Sequence, residues 1–304
     1  MTQLLNALPG ALAQGLIWGV MAIGVYITYK VLDIADLTVD GSICTGAAVC
    51  TMLLLGGQSP WLALLCAVLA GVLAGAVTGL LHVGLGIPPI LAGILTQMVL
   101  WSVNLKLLGK ANQALPARTT PVLLSQMDVG GALPVLLGFC VVLVALLVLF
   151  FGTELGCALR ATGCNPVMSR AQGVNTGLMK VIGLALSNGV VALSGALLCQ
   201  YQGYTDVNMG RGAVVIGLAA VVIGQAVLGR RGGRMAVQLG GVILGAVIYY
   251  IVYQVIIFAG FDTDLLKMFS AVVVAVFLGA PHVKAQLKAH SRSKKGDSGH
   301  AKNE

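Results

Sequence analysis

The chain has 304 residues, of which 58% are hydrophobic and only 9% charged, with a net charge of +8 and a mean hydropathy of +0.96. Because a soluble domain carries about 25% charged residues, this composition excludes a cytosolic enzyme, a disordered tail protein and a nucleic-acid-binding module. The apolar runs are about 20 residues long and do not alternate, which excludes an outer-membrane barrel. The sequence predicts an all-α, polytopic integral membrane protein embedded in a lipid bilayer.

About nine apolar segments follow one another with short connections, and each is close to the roughly 20 residues that a membrane-spanning helix needs. Residues 1–280 are therefore predicted to form one transmembrane domain. Residues 281–304 are polar and basic, which is typical of a solvated cytoplasmic tail. The predicted segments are 10–30, 39–56, 60–86, 88–108, 132–152, 177–201, 210–229, 233–259 and 264–280.

Three basic clusters define the predicted orientation: Arg160 to Lys180, Arg230 to Arg234, and Lys284 to Lys302. Loops rich in lysine and arginine face the cytoplasm, and all three clusters agree with one alternation of nine spans. The C-terminus is therefore expected in the cytoplasm and the N-terminus outside. The second segment is short and polar, and if it does not cross the membrane the N-terminus lies on the other side.

Two Gly-rich segments suggest an internal repeat. Gly41 and Gly212 each begin a segment in which a second glycine follows after four residues, and a polar stretch with aspartate precedes both. Aligning them gives repeat one at about 10–108, a connector span at 132–152, and repeat two at about 177–280, inverted relative to the first. Inverted repeats with interrupted helices are a signature of transporters. The alternative is chance recurrence of a Gly/Ala/Val pattern.

The sequence contains no catalytic constellation and no Gly-Lys-Ser/Thr phosphate-binding loop. Cys157 and Cys164 do not have the spacing of a zinc site. We therefore expect no enzyme activity, no metal and no cofactor in this chain. Any ATP hydrolysis that drives transport would belong to another subunit.

Polar residues inside the apolar segments mark a candidate translocation path. Asp40, Gly41 and Ser42 could begin a half-helix whose free amides favour an anionic group, or they could only cap that helix. Gln97, Trp101 and Asn104 would share one helical face, which either lines a polar cavity or forms hydrogen bonds between helices. The predicted path residues are Asp40, Gly41, Ser42, Thr45, Gln97, Asn104, Asn188 and Asp206.

The loop after the fifth segment contains a predicted short helix from Glu154 to Ala161, ended by Gly163, Asn165 and Pro166. The positive-inside rule places it in the cytoplasm. No short helix is needed there to connect two spans, so we expect it to dock a partner. The alternative is a surface helix lying on lipid headgroups, for which a single basic residue, Arg160, is weak support.

These stretches resemble one family over residues 10–280. The resemblance rests on four sequence runs: DLTVDGSICTGAAV, LAGILTQMVLWSVNLKLLGKAN, ELGCALRATGCNPVMSRAQGVNTGLMK and GLALSNGVVALSGALLCQYQGYTDVNMGRGAVVIGLAAVVIGQ. The chain resembles the permease subunit of bacterial ABC importers of the branched-chain amino acid/ribose type. Within that family it is most similar to the uncharacterised or aromatic amino acid (tryptophan/tyrosine) importer branch, from which Gln225 departs, since a glutamate is expected there.

The resemblance implies a homodimer in the bacterial inner membrane, two cytoplasmic ABC ATPase subunits that carry ATP and magnesium, and an extracytoplasmic substrate-binding protein. The cargo would be a small solute, an amino acid, moved by alternating access. The runner-up function is an ion-coupled secondary transporter in which Asp36, Asp40 or Asp206 carries the coupling ion, and the third is a scaffolding subunit. The implied ATPase-coupling residues are Glu154, Leu155, Arg160, Ala161, Gly163 and Asn165.

Overall fold

A computed structural model describes residues 2–116, 120–228 and 234–258, together with Met268, Val272 and Ala275. The first half of the described chain forms α1 (Thr2–Tyr26), a π-helical turn (Ile27–Val31), α2 (Val39–Leu55), α3 (Pro60–Gly84), α4 (Pro89–Leu108) and β1 (Asn112–Ala114). The second half forms α5 (Val129–Gly152), α6 (Glu154–Cys164), α7 (Pro166–Ala171), α8 (Thr176–Gln202), β2 (Tyr204–Asp206), α9 (Ala213–Leu228) and α10 (Met235–Phe258).

Within these ranges, six helices are long and apolar enough to cross a membrane: α3, α4, α5, α8, α10 and the segment Ala7–Val31. The apolar helices α2 and α9 have 17 and 16 residues, which corresponds to about 25 Å, less than the roughly 30 Å hydrocarbon core. Eight predicted segments thus coincide with helices, which confirms the all-α polytopic fold. Apart from three single residues, the ninth segment lies outside the described residues, as does the predicted tail.

Both short helices follow a break in the chain, as the sequence predicts for the first of them. After the π-helical turn the backbone leaves the helical conformation until α2 begins, and Asp33 adopts φ 56°, which aspartate tolerates better than most residues. The second break follows α8, which ends at Gly203 with φ 77° in the left-handed C-cap position.

Helix α8 lies at the centre of the bundle, in contact with α1, α2 and α3. Three glycines on one face of α3 lie directly against the α8 backbone, and a Cβ at Gly75 would meet the Leu184 carbonyl. Small residues allow such close approach, which is the main source of helix association in lipid. The other two glycines on this face are Gly71 and Gly79.

A two-stranded antiparallel ribbon joins the segments that follow α4 and α8. β1 pairs with β2, with Asn112 opposite Asp206 and Ala114 opposite Tyr204. Thr205 is buried and its hydroxyl lies 2.6 Å from that of Thr51 in α2. The ribbon therefore holds the chain before α9 against α2 and α4, where the candidate site lies.

Candidate translocation cavity and cytoplasmic helix

The two short helices meet at their N-terminal ends, and one side chain joins them. The Asp40 carboxylate, in the first turn of α2, accepts hydrogen bonds from the backbone amides of Gly212 and Val214, each at 3.0 Å. A carboxylate satisfies free amides at a helix N-terminus and offsets the positive end of the helix dipole. Asp40 therefore caps α9, the counterpart helix of the predicted repeat, rather than its own helix.

A cavity of about 590 Å³ lies beside this junction, within the size range of small-molecule sites. Helix α4 contributes one wall, on which Gln97, Trp101 and Asn104 lie together as their spacing predicts. The opposite wall comes from the start of α2 and from the turn before α9. The lining residues are Asp40, Gly41, Cys44, Ile94, Gln97, Met98, Trp101, Ser102, Asn104, Val207 and Arg211.

Asn104 is the unusual member of this lining. Its side chain is fully buried, and neither the amide nitrogen Nδ2 nor the oxygen Oδ1 has a hydrogen-bond partner among the described residues. A buried polar group without a partner costs free energy, about 1–3 kcal/mol in mutational data. The Asn104 amide thus keeps its full hydrogen-bonding capacity beside the cavity.

Two predicted path residues lie behind the cavity wall instead of on it. The Ser42 hydroxyl donates to Asn188 Oδ1 at 2.6 Å, and Asn188 Nδ2 donates to Asp36 Oδ2 at 2.7 Å. The other Asp36 oxygen accepts the Thr38 amide at 2.8 Å. These buried groups satisfy one another, so they position the start of α2 and do not face the cavity.

Thr45 and Asp206, which are also predicted path residues, lie outside the lining of this cavity. The Thr45 hydroxyl donates to the Gly41 carbonyl one turn earlier, and Asp206 accepts the Asn208 amide at 2.6 Å. The cavity instead contains Arg211, which sequence reasoning missed. Its signal is a basic residue next to Gly212 in the interrupted segment, away from the three basic clusters.

The predicted cytoplasmic helix is present as α6, but it extends to Cys164, three residues beyond the predicted end. Thr153 caps its N-terminus through the Gly156 amide, and Asn165 accepts the Met168 amide and so caps α7. The prediction that Gly163 ends the helix is wrong. Gly163 lies inside α6 and faces the Val31 carbonyl. A Cβ at this position would overlap that carbonyl, so the close contact requires glycine.

Helix α6 divides into a packed side and an exposed side. Arg160 donates to the Phe151 carbonyl at 3.1 Å and thereby ties α6 to the end of α5. Leu155 is 51% exposed, and Val167 and Met168 at α7 are 79% and 63% exposed. The last two were not predicted, because their apolar character gives no sign in the sequence that they face outward. Glu154, Ala161 and Asn165 are exposed on the same segment.

The described residues contain no group of three His, Cys, Asp or Glu side chains arranged to hold a metal ion. All seven cysteines are free, and Cys157 and Cys164 are exposed on α6. The polar and aromatic residues that line the cavity include Asp40, Gln97, Trp101, Asn104 and Arg211.

The long apolar helices define a multi-pass membrane protein, with a cavity between them. Residues 8–280 match the family described as Branched-chain amino acid transport system / permease component. The chain belongs to this family and is a permease component of an ABC transport system.

Three relatives illustrate the range of the family. The chain is 37% identical to the tyrosine transport system permease protein of Clostridioides difficile over 93% of its own length and 94% of the relative. It is 33% identical to an uncharacterized protein of Rickettsia prowazekii over 91% of its own length and 98% of the relative. It is 29% identical to the autoinducer 2 import system permease protein of Escherichia coli over 67% of its own length and 60% of the relative. No solved structure matches the chain.

Proposed function

We propose that the chain is the transmembrane subunit of an ATP-driven importer that moves an amino acid from an external binding protein to the cytoplasm by alternating access. The observation that carries this proposal is a packed connection between α6 and the cavity. Gly163 of α6 lies against the Val31 carbonyl at the end of the π-helical turn, and the chain then runs through a non-helical break into α2. Asp40 at the start of α2 lines the cavity.

This connection gives a physical route from the cytoplasmic face to the cavity. Leu159 of α6 is fully buried, and the side chains of Leu32 and Leu159 both contact the position of Gly183 in α8. Because the interior is closely packed, a displacement of α6 must move the break between the π-helical turn and α2. Two states of this break would open the cavity to opposite sides of the membrane.

The exposed face of α6 and α7 is the proposed docking surface for the ATPase. Its apolar side chains, Leu155, Val167 and Met168, lie beside the exposed Glu154 carboxylate, a combination of apolar anchors and polar rim that suits a protein interface. The proposed assembly is a permease homodimer in the inner membrane with two cytoplasmic ATPase subunits. These subunits would hold the ATP and magnesium.

The amino acid cargo is supported by the 37% identity to a tyrosine transport system permease protein. The external binding protein and the cytoplasmic position of the C-terminus belong to the same proposal. They are supported by the family and by the basic clusters, of which Arg160, Arg170 and Lys180 lie on the α6 side of the molecule.

Co-purification tests the proposal. The tagged chain is expressed with its neighbouring genes, and an ATPase is expected to purify with it in equal amount. Leu155→Asp and Val167→Asp place charges on the docking surface and should each reduce the ATPase recovered by at least about tenfold. Met127→Asp is the matched control, because Met127 is 73% exposed in the loop before α5 and should have no effect.

Uptake into proteoliposomes separates this proposal from the secondary transporter. Uptake of labelled tyrosine should require ATP on the side of the membrane that carries the ATPase and the binding protein on the opposite side. Uptake that continues without ATP and stops when an ion gradient is dissipated would reject the importer and favour ion coupling through Asp36, Asp40 or Asp206.

A further inference from the structure

We propose that the cavity beside Asp40 is a transit site that binds the carboxylate group of the cargo, with Arg211 and Asn104 as its ligands and Trp101 as the wall for the apolar part. This inference rests on the proposed function, because it assumes that the cargo is an amino acid. It assigns binding to the permease itself in addition to the external binding protein.

The charge of the site favours a carboxylate. Helices α2 and α9 meet at their N-termini, and each helix N-terminus carries roughly half a positive charge. The Asp40 carboxylate lies in the first turn of α2 and accepts hydrogen bonds from the Gly212 and Val214 amides at the start of α9, so it offsets both helix ends. Arg211 lines this cavity as well as a second one, and it forms no ion pair within the described part of the chain. Among the residues that line the cavity, Arg211 is therefore the cation left to meet a single carboxylate.

The side-chain amide of Asn104 is available to a ligand. Its side chain is fully buried beside the cavity and both of its polar atoms lack partners in the part of the chain that the structure describes. Leaving them so is costly unless a ligand completes the hydrogen bonds. An Asn Nδ2 group donates well to a carboxylate oxygen, and an arginine binds a carboxylate with two parallel hydrogen bonds.

Trp101 gives the cavity an aromatic wall. Trp101 is 44% exposed and lines the same cavity, so its ring offers a flat apolar surface. Aromatic rings pack favourably against one another in offset or edge-to-face arrangements. A carboxylate bound at Arg211 therefore leaves the rest of a small aromatic amino acid in reach of Trp101, since both residues line one cavity of about 590 Å³.

Equilibrium dialysis of radiolabelled L-tyrosine tests the site. The protein is the complete permease–ATPase complex in nanodiscs of phosphatidylcholine, without the binding protein, so that no anionic lipid headgroup can occupy Arg211. We expect saturable binding that 3-(4-hydroxyphenyl)propionate displaces, because it keeps the carboxylate. Tyramine lacks the carboxylate and should not compete. Absence of saturable binding, or equal competition by tyramine, would overturn the proposal.

Three variants assign the binding to the named residues. Arg211→Gln removes the charge and should weaken tyrosine binding by about tenfold or more. Asn104→Asp keeps the size of the side chain but repels a carboxylate, and should have a similar effect. Lys110→Gln is the matched control, because Lys110 is an exposed cation just after α4 that does not line the cavity.

Recovery of the ATPase with each variant shows that it is folded, and wild-type affinity in folded Arg211→Gln and Asn104→Asp would reject the site. ATP-driven uptake with the binding protein, measured in parallel, keeps the two proposals separate. If the wild type takes up tyrosine and the variants take it up equally well, the transit site is rejected and the importer function is retained. Absence of ATP-dependent uptake rejects the importer function itself.

Discussion

Asp36 is a carboxylate that is only 5% exposed, within a chain that spans a membrane. A buried charge is costly unless hydrogen bonds satisfy it. Here one oxygen accepts the Thr38 amide and the other accepts Asn188 Nδ2. Asn188 in turn accepts the Ser42 hydroxyl. This chain of hydrogen bonds fixes the break before α2 against the centre of α8, which explains why an aspartate is compatible with this position.

Replacing Asn188, the central residue of this network, should lower the unfolding free energy more than replacing Ser42 at its end. Asn188→Leu leaves the Asp36 carboxylate without its side-chain donor and should cost about 3–5 kcal/mol of unfolding free energy. Ser42→Ala leaves only one amide oxygen unpaired and should cost about 1–2 kcal/mol. Unfolding by sodium dodecyl sulfate in mixed micelles measures both values.

The double variant Asp36→Asn with Asn188→Leu is the control for this prediction. It removes the buried charge, so it should recover part of the loss caused by Asn188→Leu alone. Equal losses for Asn188→Leu and Ser42→Ala would contradict the central role of Asn188 in satisfying the buried Asp36 carboxylate.

At the scale of elements, α6 is held against the membrane helices by packing at two glycines. A Cβ at Gly156 would meet the Phe150 carbonyl, and one at Gly163 would meet the Val31 carbonyl. The helix is therefore fixed to the end of α5 and to the π-helical turn at the same time. An element with two such contacts is suited to pass a movement from a bound ATPase into the bundle.

Gly163→Ala should uncouple ATP hydrolysis from uptake. The added methyl group forces α6 away from Val31, at a cost of about 1–3 kcal/mol, while the docking surface on the other face is unchanged. We expect the ATPase to purify with the variant and ATP-driven uptake to fall by about tenfold or more.

Gly152→Ala is the matched control, since nothing lies within 4 Å of its added Cβ and alanine is favoured over glycine in a helix. Its uptake should equal that of the wild type. If Gly163→Ala also transported normally, the proposed route from α6 to the cavity would be wrong.

At the scale of the whole molecule, the helix pairs follow the predicted repeat. If α1 corresponds to α8 and α3 to α10, then the contact of α1 with α10 corresponds to that of α8 with α3, and both are present. Likewise the contact of α2 with α3 corresponds to that of α9 with α10. These pairs support the repeat, which stays a prediction because the counterpart of α4, the ninth segment, lies outside the described residues.

The glycine face of α3 should dominate the stability of this arrangement. Gly75→Ala adds a Cβ against the Leu184 carbonyl and the Ala185 Cα of α8, and we expect it to lower the unfolding free energy by about 1–3 kcal/mol. Gly138→Ala in α5 has nothing within 4 Å of its Cβ and should be neutral or slightly stabilising. The measurement is the same detergent unfolding experiment, and equal stability of the two variants would contradict this packing.

The sequence alone predicts the class of protein, eight of the helices to within a few residues at most ends, and the short helix at Glu154. It could do so because hydropathy, segment length and turn residues act over neighbouring positions. It also placed Gln97, Trp101 and Asn104 on one face, since helical spacing is a local property.

The partners of the polar groups, in contrast, follow from the packing of helices that are distant in the sequence. Asp40 caps α9 across 172 residues of sequence. Asn188 donates a hydrogen bond to Asp36 and does not line the cavity, whereas Arg211 does. These partners depend on how closely the glycine faces let the helices approach. A polar residue in an apolar segment predicts that a partner exists, but the packing of distant helices selects which one it is.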